Sequence, residues 1–199
     1  WSSGSLLFSG SVFRNTRTNV RVEELIVLPG NIVDFDYRSG GRAKSVGGEL
    51  QLQGHFGSNV RGELGLTFVD SQDLSNPDGI LSYSPEMVAN AKLSYRKGDI
   101  SFSALARYVG AMYSFYNSSE EETSSLVGDY FGERSSSYTT VDLNVRFENV
   151  FGRGFLSFNV SNVFDTEIRY PNNPINGLLL NRGNLGYGRR LGVKAGVRF

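Results

Sequence analysis

The sequence predicts an all-β chain, a transmembrane antiparallel β-barrel of about eight strands. Three observations carry that expectation. Apolar and polar residues alternate with period two in eight separate windows, and none of them shows the three-and-four spacing of an amphipathic helix. Each window has about the ~10 residues that a tilted membrane strand needs. The connections alternate short and long, which is the pattern of tight periplasmic turns and long extracellular loops.

In chain order, Leu6–Val12 puts Leu6, Phe8, Gly10 and Val12 on one face. Val46–Phe56 sets Val46, Leu50, Leu52 and Phe56 against Glu49, Gln51, Gln53 and His55. Val60–Phe68 sets Val60, Leu64, Leu66 and Phe68 against Arg61, Glu63 and Thr67. Met87–Arg96 aligns Met87, Ala89, Ala91, Leu93 and Tyr95 opposite Asn90, Lys92, Ser94 and Arg96. Ile100–Tyr108 aligns Phe102, Ala104, Ala106 and Tyr108 opposite Ser101, Ser103, Leu105 and Arg107. Tyr138–Phe147 sets Val141, Leu143, Val145 and Phe147 against Thr140, Asp142, Asn144 and Arg146. Phe155–Phe164 sets Leu156, Phe158 and Val160 against Ser157, Asn159 and Ser161. The last nine residues alternate Leu191, Val193, Ala195, Val197 and Phe199 with Gly192, Lys194, Gly196 and Arg198.

The short connections 57–59, 97–99 and 149–154 all contain glycine, which supplies the positive φ that tight hairpins want. Segments 71–85, 113–137 and 165–187 are long and polar. Segment 13–45 is long too, but Val20–Leu28 and Ile32–Tyr37 read as strand extensions beyond the membrane. With tight turns on the periplasmic side, the chain climbs from the periplasm at its first strand and has its C-terminus in the periplasm.

Net charge is zero and no basic block is present, so nucleic acid has no electrostatic foothold. The chain has no cysteine, which removes disulfides, thiolate catalysis and cysteine metal sites. No apolar run reaches the ~18 residues of a membrane helix, while barrel strands escape such a scan because every second residue is polar. The sequence starts at Trp1 without methionine or signal peptide, so it reads as a processed chain or as a piece of something larger.

Charged residues on the polar face, among them Arg61, Lys92, Arg96, Arg107, Arg146 and Lys194, must face a lumen, because a basic residue toward lipid near the midplane costs about 2–4 kcal/mol. They read as an ion-pair lattice that braces the wall or holds a domain inside it. His55, the single histidine, reads as a lumen residue, since one imidazole without neighbouring ligands makes no metal site. Glu120–Glu122 read as a solvated run, and Asp70, Asp73 and Asp78 as polar turn chemistry. No nucleophile with its base, no paired catalytic carboxylates and no phosphate loop stand out, so no enzyme, metal site or cofactor is expected.

Four segments resemble the C-terminal third of TonB-dependent outer-membrane receptors. Gly41–Leu52 resembles the family's small-Ser-Gly-Glu opening of a strand after a long loop. Tyr83–Asn90 resembles its aromatic-proline strand start. Phe158–Asp165 is similar to its asparagine-leucine-phenylalanine-aspartate segment, and Gly188–Val193 to its glycine-arginine lead into the final strand. The terminal strand ending on Phe199 resembles the assembly signal of outer-membrane barrels, which implies that Val193, Val197 and Phe199 are read by the barrel assembly machinery.

The resemblance implies that residues 1–199 are the C-terminal portion of a plugged barrel of about 22 strands, with the plug domain absent from this chain. It implies a cell outer-membrane receptor for TonB-coupled active uptake of a scarce solute of ferric siderophore, vitamin or glycan type. The expected partners are the lipid bilayer, the TonB complex through the plug, and a small-molecule ligand. Loops 113–137 and 165–187 are the expected recognition surface. Tyr116 and Phe131 there read equally as interface anchors or ligand-stacking rings, while Arg182 and Arg189 are positioned for substrate contact. The alternative is a self-contained eight-stranded structural or adhesive barrel, whose interior side chains would fill.

Overall fold

The computed structural model describes residues 2–3, 5–30, 32–75, 79, 81, 83–113, 134–171 and 184–197, with the backbone alone at 2–3, 22–28, 32–38 and 184. In chain order the strands are β1 (Ser2–Ser3), β2 (Leu6–Leu28), β3 (Ile32–Phe56), β4 (Val60–Asp73), β5 (Met87–Lys97), β6 (Ile100–Val109), β7 (Met112–Tyr113), β8 (Arg134–Ser135), β9 (Tyr138–Val150), β10 (Gly154–Ser161), β11 (Arg169–Tyr170), β12 (Asn184–Leu185) and β13 (Arg190–Val197). One antiparallel sheet runs β1-β2-β3-β4-β5-β6-β9-β10-β13, and two short ribbons, β7-β8 and β11-β12, crown its long-connection end. The sheet is a wall and not a closed barrel, since β1 and β13 are its two edges among the described residues.

The eight long strands coincide with the eight alternating windows, and their register explains why. One row across the wall reads Leu6, Gly54, Gly62, Leu93, Ala104, Leu143, Val160, Leu191, each paired to the next. The neighbouring row on the opposite face reads His55, Arg61, Ser94, Ser103, Asn144, Asn159, Gly192. A slip of one residue in any strand would put apolar side chains into the polar row, so the two-faced pattern itself enforces the register.

Among the described residues no second layer covers the apolar face. Met112 is the one buried hydrophobic side chain among the described residues, whereas Phe8, Leu50, Leu52, Leu64, Phe68, Leu93 and Phe158 all stand exposed. A water-soluble domain hides such residues against a second layer around a core. Large exposed apolar side chains recur on seven of the eight long strands, with those of β9 half-exposed between them, far beyond the patches that soluble monomers expose.

The tight turns take the predicted conformations. Gly57 and Gly98 adopt φ of 66° and 57°. The third turn uses Asn149 and Phe151 at positive φ as well as Gly152, a non-glycine contribution that the sequence reading did not anticipate. Strand bounds differ as well: β4 runs to Asp73, into the segment 71–85 read as a connection, because Ser71–Asp73 pair with Ala43–Ser45 of β3. The window Phe155–Phe164 ends as a strand at Ser161, because Asn162 and Asp165 turn to φ of 51° and 54°. The first two strands are unbroken across their expected extensions, bending at a bulge by Asn19 (φ 56°). Since β4 leaves β3 at the Ala43–Asp73 pair, the ribbon from Thr18–Arg42 to Leu28–Ile32 continues on its own for roughly 35 Å at about 3.3 Å per residue.

Candidate functional site

Three groupings of polar and aromatic residues stand on this wall. At the long-connection end the rim between β5, β6 and β9 carries Tyr113, Arg134 and Glu86. The Arg134 guanidinium lies 4.6 Å over the Tyr113 ring and reaches the Glu86 carboxylate at 3.5 Å. Tyr83 donates its backbone N–H to the Tyr113 carbonyl at 2.9 Å, which ties the segment before β5 to the β7-β8 ribbon. Beside it, Tyr138 and Tyr170 meet edge to face at 6.4 Å, and Arg190 covers the Tyr187 ring at 4.7 Å. Aromatic faces flanked by guanidinium groups offer stacking and charge-assisted contacts to a ligand.

Below this rim the end of β10 is knotted. The Asn162 side chain, 4% exposed, donates to the Thr166 carbonyl at 2.8 Å and accepts from the Thr166 N–H at 2.9 Å. Its backbone N–H donates to Asp142 Oδ1 at 2.8 Å on β9. Asp165 accepts at 2.7 Å from the backbone N–H of Arg189, at the far foot of the same loop. A side chain at Gly188 would meet the Asp165 carboxylate at 2.9 Å and push it from its place against the Arg189 N–H.

On the polar face toward the tight turns, short strand-borne ion pairs alternate with cations that meet no carboxylate within ion-pairing distance among the described residues. Glu63 holds Arg61 at 2.9 Å, and Glu148 holds Arg146 at 2.7 Å while that guanidinium lies 3.8 Å over Phe155. A basin of about 410 Å³ opens between β3 and β6, with Arg61, Lys92 and Arg96 on its lining.

The family model for the TonB-dependent receptor-like β-barrel matches residues 1–163. The chain belongs to the TonB-dependent receptor family. These receptors are transporters and not enzymes, and the fold is the antiparallel outer-membrane barrel type, present here as an open stretch of wall. No curated protein matches the chain. Among solved structures it resembles the copper transporter OprC (TM-score 0.74, 20% identity), covering 100% of this chain and 30% of that one. It also resembles the ferric-catecholate import receptor Fiu from E. coli K12 (0.66, 21%, covering 98% and 25%). A third likeness is the ferric yersiniabactin uptake receptor FyuA from Yersinia pestis (0.68, 15%, covering 100% and 28%). The chain thus spans between a quarter and a third of the length of these receptors.

Within this receptor wall the expected site residues fare differently. Arg189 is described, and it belongs to the knot: its N–H meets Asp165, and its guanidinium turns back toward the Val163 carbonyl at 3.5 Å. Tyr116, Phe131, Arg182 and Glu120–Glu122 lie outside the described residues, as does Phe199. Val193 and Val197 stand exposed on the apolar face of β13, paired with Phe158 and Gly154. Asp70 and Asp73 belong to β4, paired with Val46 and Ala43, and not to the turn expected there; the Asp73 side chain still accepts the Ser75 N–H at 2.8 Å just past the strand end, while Asp78 lies outside the described residues. The rim cluster of Tyr113, Arg134 and Glu86 escaped the sequence reading. Its three members are far apart in the chain: the β7-β8 pairing sets Arg134 opposite Tyr113, and the strand order β5-β6-β9 brings Glu86, at the entry to β5, beside them.

Proposed function

We propose that this chain is the C-terminal wall and loop portion of an outer-membrane receptor that takes up a scarce solute with energy delivered through TonB. The uncovered apolar belt across eight strands carries the reading, because only a hydrocarbon environment makes that surface favourable. Family membership narrows a membrane wall to a TonB-dependent one. The open edges at β1 and β13 support a stretch of a larger barrel over a self-contained eight-stranded one, since lipid does not tolerate unpaired strand edges.

In this reading the tight turns face the periplasm, the C-terminus lies there, and β13 with Phe199 engages the barrel assembly machinery. A plug domain, encoded outside this chain, fills the lumen and contacts TonB. The rim of Tyr113, Arg134, Tyr138, Tyr170 and Arg190, with loop residues Tyr116, Phe131 and Arg182 above it, presents rings and cations to an incoming solute. A ferric chelate is the favoured class, in line with what the structural relatives are named for.

The test is uptake by the whole receptor in cells with and without TonB. Radiolabelled ferric siderophores, cobalamin and oligosaccharides are each supplied at low concentration. The reading expects one class to accumulate only when TonB is present. Accumulation independent of TonB, or none for any class, contradicts it.

A further inference from the structure

We infer that the turn between β9 and β10 is a membrane-surface anchor, in which Phe151 enters the headgroup layer and Lys97 and Arg153 beside it take the phosphate of an anionic phospholipid. The inference rests on the reading of the wall as membrane-spanning and goes beyond it by assigning a lipid contact to one turn.

The conformation of Phe151 is the first observation. Phe151 and Gly152 adopt φ of 51° and 80°, and the Arg153 N–H reaches the Val150 carbonyl at 3.4 Å. That is a type I′ turn with phenylalanine at its first central position, where asparagine, aspartate or glycine fits best. A bulky side chain is strained there, and strain persists where something else repays it. The described chain does not, because the Phe151 ring stands fully exposed. The other two tight turns carry only small or polar residues at their tips, Gly57–Asn59 and Gly98–Asp99.

The place of the turn names the medium that repays it. Ile100, Phe147 and Leu156 form the apolar row nearest this turn, and Phe147 meets Phe158 of the same face edge to face at 6.5 Å. Phe151 lies four residues beyond Phe147, which at about 3.3 Å per residue and a strand tilt of about 40° is roughly 10 Å further from the membrane centre. An aromatic ring at that depth sits among headgroups. The neighbouring turn is tied to this one, since Asn149 Nδ2 donates to Asp99 Oδ1 at 2.7 Å and the Glu148 N–H to the Asp99 carbonyl at 2.7 Å. Lys97 enters that turn on the same face as Leu93 and Tyr95, the lipid face. Lys97 and Arg153 are both exposed, and neither ion-pairs with a carboxylate among the described residues; Glu148 is held by Arg146 at 2.7 Å. Two cations flanking an inserted ring favour an anionic headgroup over a neutral one.

The experiment uses the full-length receptor in vesicles of phosphatidylcholine with a minor fraction of phosphatidylglycerol. The photoreactive p-benzoylphenylalanine replaces Phe151, or Leu93 as a control inside the apolar belt. After irradiation, lipid adducts are counted by mass spectrometry. The inference expects position 151 to capture lipid, with phosphatidylglycerol enriched several-fold over its share of the vesicle. Leu93 should capture lipid with less enrichment than position 151. The K97Q/R153Q variant should keep the lipid adduct at 151 and lose the enrichment, with a heat-dependent gel shift showing that it still forms a barrel. Lipid capture at 151 without enrichment, or enrichment undiminished in folded K97Q/R153Q, overturns the inference. So does capture of no lipid at 151 while Leu93 captures it, which leaves the membrane wall standing. No lipid at either position overturns both.

Discussion

Asn162 and Thr166 hold each other through a reciprocal pair: the Asn162 amide donates to the Thr166 carbonyl at 2.8 Å, and the Thr166 N–H returns a bond to Asn162 Oδ1 at 2.9 Å. Asp142 secures the Asn162 backbone from the next strand, and Asp165 secures Arg189. Strand β10 thus ends in a fastening that joins both feet of the loop 166–187 to the wall. Asparagine suits the position because it also tolerates the φ of 51° found there.

The N162A variant should loosen the loop without dissolving the wall. It strips partners from two backbone groups, each worth about 1–3 kcal/mol when left unsatisfied and buried. Hydrogen exchange followed by mass spectrometry should show faster exchange in 163–171 and 184–189, with 140–147 unchanged. Unchanged exchange at the loop feet would show that the side chain holds nothing.

Gly47 should resist substitution where Gly62 does not. A Cβ at Gly47 would collide with the Phe68 carbonyl oxygen and fall 2.7 Å from Phe13 Cζ, whereas at Gly62 it would meet only the Phe56 ring edge at 3.3 Å. G47A should lower stability by about 1–3 kcal/mol, as overpacking does, and G62A by distinctly less. Denaturant unfolding in lipid vesicles reads the difference. Equal losses would refute the steric account.

Leu64 and Leu105 are both leucines on neighbouring parts of the wall, but on opposite faces. Leu64 pairs with Leu52 and Ala91, while Leu105 pairs with Lys92 and Asp142. L64R should cost about 2–4 kcal/mol in vesicle unfolding, and L105R should be tolerated beside Asp142. A larger loss for L105R would invert the assignment of faces.

Replacing Phe199 by Asp, or deleting it, should slow assembly into the outer membrane while leaving the stability of correctly assembled protein nearly unchanged. Pulse-chase labelling with a heat-dependent gel shift separates the two. Normal assembly kinetics would remove Phe199 from the assembly signal.

Much of this architecture was legible in the sequence because a membrane wall has a two-letter code. Residues such as Leu93 and Ser94 declare their faces locally, and Gly57 and Gly98 mark their turns without reference to anything distant. The extension of β2 and β3 was readable for the same reason. The end of β10 was not, since Val163 and Phe164 continue the apolar composition and only the bonds to Asp142, Thr166 and Arg189 stop the strand. The rim was hidden more deeply. Glu86, Tyr113 and Arg134 are unremarkable in isolation, and their meeting depends on which strands neighbour one another.

The central claim is that one face of the wall meets lipid and the other a lumen. Nitroxide labels placed singly at Leu143, Asn144, Val145 and Arg146 of the receptor in bilayers test it residue by residue. The account predicts that relaxation by lipid-dissolved oxygen dominates at Leu143 and Val145, and relaxation by a water-soluble nickel complex, or neither, at Asn144 and Arg146. Aqueous accessibility at Leu143 and Val145, or no alternation along the four positions, would contradict it.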